Sequence, residues 1–230
     1  MKTKISRKDS RALTLIEVLI VIAILLFAAA LYLPTLANRS PRNPRIACMN
    51  NLKLVGLAFR IWEGDNNDKF PMNVSGTNGG TMELVESGTV WPHFEVMSNE
   101  LNTPKILICP WDSEREKNRA SGWASTPAMP VGAVAFIGNT NTSYFVGVDA
   151  AETNPTMFLG GDRNLMVKNI PLPPGLHSLG TNALAGWTRG LHENQGNILL
   201  ADASVQQFST AGLQKALEHT GVATNRLAIP

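Results

Sequence analysis

Hydrophobic and polar positions divide this chain into one unbroken apolar run and a longer region of mixed period. Over residues 13–33 every position is apolar except Thr14, Glu17 and Tyr32, and Glu17 is the only charge. A helix over that run is about 31 Å long, close to the thickness of a bilayer's hydrocarbon core, so it predicts a transmembrane segment. Pro41 and Pro44 then interrupt any continuing helix. Cys48, Leu52, Val55, Phe59 and Trp62 follow at steps of four and three, which put all five on one helical face. That helix is expected to be capped by Asn43, to have Pro44 in its first turn and to reach about Glu63.

Beyond it the period shortens. Residues 105–109, closed by Pro110, predict a short buried strand, and 144–148, 156–159, 197–201 and 205–208 predict antiparallel strands. In this reading Gly160 and Gly161 end the 156–159 strand, and Asp202, Ala203 and Ser204 form the tight turn of the last hairpin. A final helix over 211–219, capped by Ser209 or Thr210, turns Leu213, Ala216 and Leu217 inward. Residues 74–88 and 122–130, rich in turn formers, read as loops. The expected class is α+β, with an N-terminal helix followed by a helix packed on an antiparallel sheet.

Charge changes the picture at the N-terminus. The formal net charge is +2, yet Lys2, Lys4, Arg7, Lys8 and Arg11 against Asp9 put +4 in the first twelve residues and leave −2 for the rest. Basic residues before a membrane segment stay cytoplasmic, which places the domain after it outside. No basic cluster suits nucleic acid. The division expected is 1–12 as a basic leader, 13–37 as the transmembrane helix and 38–230 as an extracytoplasmic domain. An ionised carboxylate at a bilayer centre costs roughly 2.5–3.5 kcal/mol, so Glu17, near one end of the run, needs a purpose or a partner. A secretory signal peptide cleaved after Ala28, Ala29 and Ala30 is the competing reading, and Glu17 argues against it.

Arg11, Ala12, Leu13, Thr14, Leu15, Ile16 and Glu17 resemble the processing site of type IV pilins and type II secretion pseudopilins. Ala12 stands where that family usually has Gly, and Leu13 where it has Phe. The resemblance implies a pilin-like fold, cleavage between Ala12 and Leu13 by a prepilin peptidase, and methylation of the new Leu13 amine. It also implies that Glu17 pairs with that amine on a neighbouring subunit, and it matches Pro34 to a proline many members carry. The implied partners are the peptidase/methylase, other pilin or pseudopilin subunits and the bacterial inner membrane. The segment from Ile46 to Pro71, with Cys48, Asn50, Asn51 and Leu52 and then Phe70, resembles a pseudopilin-like subfamily, as does the element at Cys109, Pro110 and Asp112.

Candidate chemistry is sparse. Cys48 and Cys109 fall on the outward side, where an even count favours a disulfide over two buried thiols. Asp65, Asn66, Asn67 and Asp68 offer oxygens for calcium but lack EF-hand spacing, which favours a solvated turn at a helix end. His192 and Asp202 match the subfamily's spacing and are expected to be structural, holding the last hairpin to the preceding loop. Gly161, Asp162 and Arg163 read as a turn with its Asp capping local N–H groups, and Asp112 with Arg115 as a surface pair. No cofactor or metal is expected. The functional expectation is a filament subunit; the alternative is a membrane-anchored hydrolase or binding protein using His192, Asp202 and Asp162.

Overall fold

The computed structural model describes residues 15–37, 44–124, 129 and 131–230. The chain divides into two units, 1–42 and 43–230. The first contains helix α1 (Leu15–Ala37), which runs one turn past Pro34. The second begins with α2 (Pro44–Gly64), whose expected cap, Asn43, lies outside the described residues. Cys48, Leu52, Val55, Phe59 and Trp62 are all buried, as their spacing requires. The Asp65 to Asp68 run ends α2 as a turn, with Asn67 and Asp68 at φ 56° and 55° and Asn66 Nδ2 donating to the Trp62 carbonyl at 2.7 Å.

Short helices α3 (Trp91–Glu95) and α4 (Ser98–Leu101) precede the strands. These are β1 (Gly122–Trp123), β2 (Ala135–Phe136), β3 (Tyr144–Gly147), β4 (Phe158–Asp162), β5 (Leu165–Val167), β6 (Ile170–Pro171), β7 (Gly175–Gly180), β8 (Ala185–Trp187), β9 (Gln195–Leu200) and β10 (Val205–Ser209). Helix α5 (Thr210–Glu218) and strand β11 (Thr224–Ile229) complete the chain. Six strands form an antiparallel sheet in the order β10-β9-β4-β3-β11-β7; β6-β5-β8 form a second antiparallel sheet, and β1 and β2 pair in parallel. The architecture is the expected α+β one, pilin-like in having an N-terminal helix followed by a helix-on-sheet domain.

Both faces of the main sheet are buried. Tyr144 and Val146 on β3 and Leu199 on β9 join α2 in one core, whereas Phe145, Ile198 and Leu200 join Leu213 and Leu217 of α5 in the other. Alternating side chains thus serve opposite cores, which is why these strands read as continuous apolar runs. Gly56 allows α2 to lie close to the sheet, since a Cβ there would meet Leu199 Cδ1 at 2.6 Å. Ser209 caps α5 through Gly212 N–H at 3.2 Å.

Three expectations are corrected. Residues 105–109 do not form a strand: Pro104–Leu107 is a 3-10 turn, because Pro104 in its first turn and the Thr103 side chain accepting from Lys105 N–H outweigh the apolar run. Gly160 and Gly161 do not end a strand but lie inside β4, where a Cβ on Gly161 would meet the Asn197 carbonyl and the Phe145 ring, both at 2.7 Å. Strands β7, which begins and ends in glycine, and β11, which opens on Thr224, Asn225 and Arg226, were not expected, yet β11 sits inside the sheet between β3 and β7. In the β9/β10 turn Ala203 adopts φ 65°, a left-handed conformation that glycine takes without strain.

His93, on α3, is fully buried with Nδ1 2.7 Å from Thr81 Oγ1. Burial lowers its pKa from 6.5 to about 4. The folded state therefore binds fewer protons than the unfolded state between those values. This contribution is intact above pH 6.5 and is lost as the pH falls towards 4. Denaturant titration across that window should show wild type losing about 3 kcal/mol more than His93→Gln. Equal losses in the two proteins would remove His93 as the cause.

Candidate functional site

Helix α1 exposes apolar surface on every side. Eleven large side chains, Leu15, Ile16, Val18, Leu19, Ile20, Val21, Ile22, Ile24, Leu25, Leu26 and Phe27, are each at least 44% exposed. Glu17 is the acidic residue of its first turn, where a negative charge complements the helix dipole. Side chains of α1 are described over 15–28, about 21 Å of helix. Among the described residues, no helix is long and apolar enough to cross a membrane.

A second constellation is buried in the domain. Cys48, on the inner face of α2, is bonded to Cys109, just past the 3-10 turn, with Cα atoms 4.9 Å apart. His192 packs beside the bridge, its Nε2 3.5 Å from Cys109 Sγ, 3.3 Å from Asp162 Oδ2 and 3.4 Å from Asn197 Nδ2. The β4/β9 register continues from Gly161 opposite Ile198 to bring Asp162 beside Asn197. Asp162 Oδ2 accepts from the Asn197 backbone at 2.7 Å and from its side chain at 2.9 Å. His192, Glu193 and Asn194 take φ values of 51°, 55° and 64°, a left-handed turn costing roughly 1–2 kcal/mol per residue. Arg45 braces that turn: it bonds Glu193 at 2.8 Å and the His192 carbonyl at 3.4 Å, and its guanidinium lies 5.2 Å from the centre of Trp111. The Trp111 ring in turn lies against His192, with centroids 5.6 Å apart.

Burial dominates the electrostatics here. It pushes the Asp162 carboxyl up to about 7, against the two Asn197 hydrogen bonds that favour its charge. Burial, helped by the Arg45 charge, pushes His192 down to about 4. His192 is thus a neutral imidazole at neutral pH, and its 3.3 Å contact with Asp162 is not an ion pair. Cys48, Cys109 and His192 offer ligand atoms within 4.8 Å of one another, but bonded sulfurs are not thiolates.

An adjoining network joins the bridge to the sheet. Cys109 N–H donates to Ser143 Oγ at 3.1 Å, and Ser143 donates to Asp112 Oδ2 at 2.8 Å. Arg163 grips the Asp112 carboxylate at 2.8 and 3.0 Å. Burial raises the Asp112 pKa, but the Arg163 and Ser143 bonds overcome it and the net shift is downward. Arg115 donates instead to the carbonyls of Asn139, Thr142 and Pro230.

Residues 7–33 match the family model of the prokaryotic N-terminal methylation motif. The chain carries the prepilin signature of type IV pilins and pseudopilins. This methylation motif contains Ala12, Leu13 and Glu17 and ends one residue before Pro34. No curated protein and no solved structure gives a significant match to the chain. The prepilin motif implies a precursor handled by a prepilin peptidase and a product that assembles with pilin-type subunits. Ala12 and Leu13 themselves lie outside the described residues.

Within the domain the structure separates residues that sequence spacing had grouped. Asp202 accepts from Ser204 N–H at 2.8 Å and so shapes its own turn, whereas His192 contacts Asp162. Asp112 is no surface pair with Arg115; it is 2% exposed and bonded to Arg163. Asp162 is not in a turn and Arg163 does not point freely to solvent. The His192–Asp162 pair is sealed at 0% exposure, and the apolar groove of about 310 Å³ is lined by Phe158, Leu200, Phe208 and Ala216 instead. The missed members, Asn197, Trp111 and Arg45, carry no motif; only strand register and the disulfide bring them together.

The bridge spans 61 residues, and in the chain-entropy account such a loop is worth about 4 kcal/mol. Replacing both Cys48 and Cys109 by Ala should lower unfolding free energy by about that amount in denaturant titration. A loss below about 1 kcal/mol would show that the domain does not depend on the bridge.

Proposed function

We propose that this protein is the precursor of a pilin-like, pseudopilin structural subunit of a type II secretion or type IV pilus-like filament. Prepilin peptidase cuts between Ala12 and Leu13, removing 1–12, and the Leu13 amine is methylated. Residues 13–37 anchor the subunit in the bacterial inner membrane, with the N-terminus cytoplasmic and 38–230 periplasmic or otherwise extracytoplasmic. The carrying observation is that α1, whose residues 15–33 lie within the methylation motif, is apolar on all sides over 15–28 apart from the Glu17 carboxylate in its first turn. Burying eleven large side chains, at about 1.5–3 kcal/mol each, favours transfer to lipid or a helix bundle by more than about 15 kcal/mol. A helix that is hydrophobic all round belongs in a membrane or a packed core. The apolar run of the sequence, 13–33, has the length a bilayer requires.

Glu17 gives the anchor its specificity. Near the cytoplasmic interface, water and headgroups solvate it; inside a bundle of apolar helices, a carboxylate is heavily penalised unless an opposite charge meets it. The methylated amine of Leu13 on a neighbouring subunit supplies that charge, so the pair sets the axial register between subunits. The function is structural, and the subunit's partners are other pilin or pseudopilin subunits.

Glu17→Val and Glu17→Gln should insert into the membrane as well as wild type while entering filaments poorly in the native machine. Fractionation reads the first property and shearing or cross-linking reads the second. Wild-type incorporation of Glu17→Val would sink the register mechanism.

A further inference from the structure

Strand β10 runs directly into α5, where Gly212, Lys215, Ala216 and His219 recur at helical spacing and so share one face. That face walls a groove of about 310 Å³, completed by Phe158 on β4, Leu200 on β9, and Gln206 and Phe208 on β10. The space exists because Gly212 and Ala216 are small; a Cβ on Gly212 would already meet Phe208 Cδ1 at 3.2 Å. Floor and rim differ in chemistry. Phe158 and Leu200 are buried members of the α5-side core, whereas Gln206, Lys215 and His219 are exposed. An apolar floor with a few polar groups at the mouth is the usual form of a small-molecule site.

The polar groups at the rim select the ligand. No carboxylate lines the groove, and among the described residues none pairs with the Lys215 ammonium. The Gln206 amide likewise makes no hydrogen bond among the described residues. His219 Nδ1 donates to the Lys215 carbonyl at 2.7 Å, and the His219 N–H donates to the Ala216 and Leu217 carbonyls. These carbonyls at the negative end of α5 are thus taken up by the helix's own cap, and an anion at the mouth meets the ammonium instead. At about 30 Å³ for a water-sized unit, the groove has room for about ten non-hydrogen atoms.

We propose that this groove binds a small carboxylic acid as its anion, with an aryl or short acyl body against Phe158, Leu200 and Phe208 and the carboxylate at Lys215 and Gln206. Burial of the body drives entry, while the carboxylate stays at the exposed rim, keeps part of its hydration and gains a charge-assisted hydrogen bond. A neutral analogue loses that bond, and a cation is repelled by Lys215. This does not rest on the filament reading, because every residue of the groove belongs to the 43–230 unit.

The full chain in lipid nanodiscs, with isotope-labelled Leu and Ala methyl groups, is titrated with hydrocinnamate and separately with hydrocinnamyl alcohol, which has the same body and no charge. The expected result is saturable shifts of the Leu200 and Ala216 methyl resonances, with the acid binding at least about threefold tighter than the alcohol. Lys215→Met should bring the acid to the affinity of the alcohol and leave the alcohol unchanged. Ala216→Leu, a good helix former that fills the groove, should weaken the acid at least about tenfold, read at Leu200. The methyl spectra of the ligand-free variants report their folding, and the comparison of acid with alcohol in wild type needs no variant. Shifts that fail to saturate, equal affinity of wild type for acid and alcohol, or undiminished binding of the acid by either folded variant would overturn the site.

Discussion

A helix that presents aliphatic side chains on every side cannot be left in water, and that constraint governs how this chain is used. Eleven large apolar residues between Leu15 and Phe27 stand exposed on α1, and the hydrophobic cost of that surface rivals the net stability of a whole domain. Only another apolar phase, lipid or a bundle of like helices, removes it. In the proposed filament, the Glu17 carboxylate in the first turn distinguishes the two phases, because a charge is tolerable at an interface and is penalised in an apolar bundle.

The unit over 43–230 is held together by different means. Its sheet is buried on both faces, by α2 on one and α5 on the other. The Cys48–Cys109 bond fixes the start of α2 to the segment that leads, through Ser143, Asp112 and Arg163, into the sheet. Beside it, the Asp162–Asn197–His192 cluster closes the space between β4, β9 and the left-handed turn. Covalent and polar ties therefore converge at one end of α2, while apolar packing spreads along its length.

Local signals were readable where one periodicity decided the outcome. The five-residue stripe of α2, the Ser209-capped α5, the apolar strands β3 and β9 and the half-polar hairpin strand β10 followed from spacing, capping and turn signals. Strand β4 was misread because its glycines serve close packing with Phe145 and Asn197, a reason that exists only in three dimensions. β11 has little alternation to reveal it, although it pairs with both β3 and β7. The motif around Ala12, Leu13 and Glu17 was legible because it is contiguous. The buried cluster was not, since Asp162, Asn197 and His192 meet through strand register and Cys109 through the disulfide, while the spacing that links His192 to Asp202 corresponds to no contact.

Processing at the motif is the point on which the filament reading stands most directly, and the intact mass and N-terminal sequence of the protein taken from its native membrane measure it. The account predicts a chain that begins at Leu13 with one methyl group on its amine. A mature chain beginning near Leu31, after Ala28, Ala29 and Ala30, would make the apolar run a discarded signal and contradict the account.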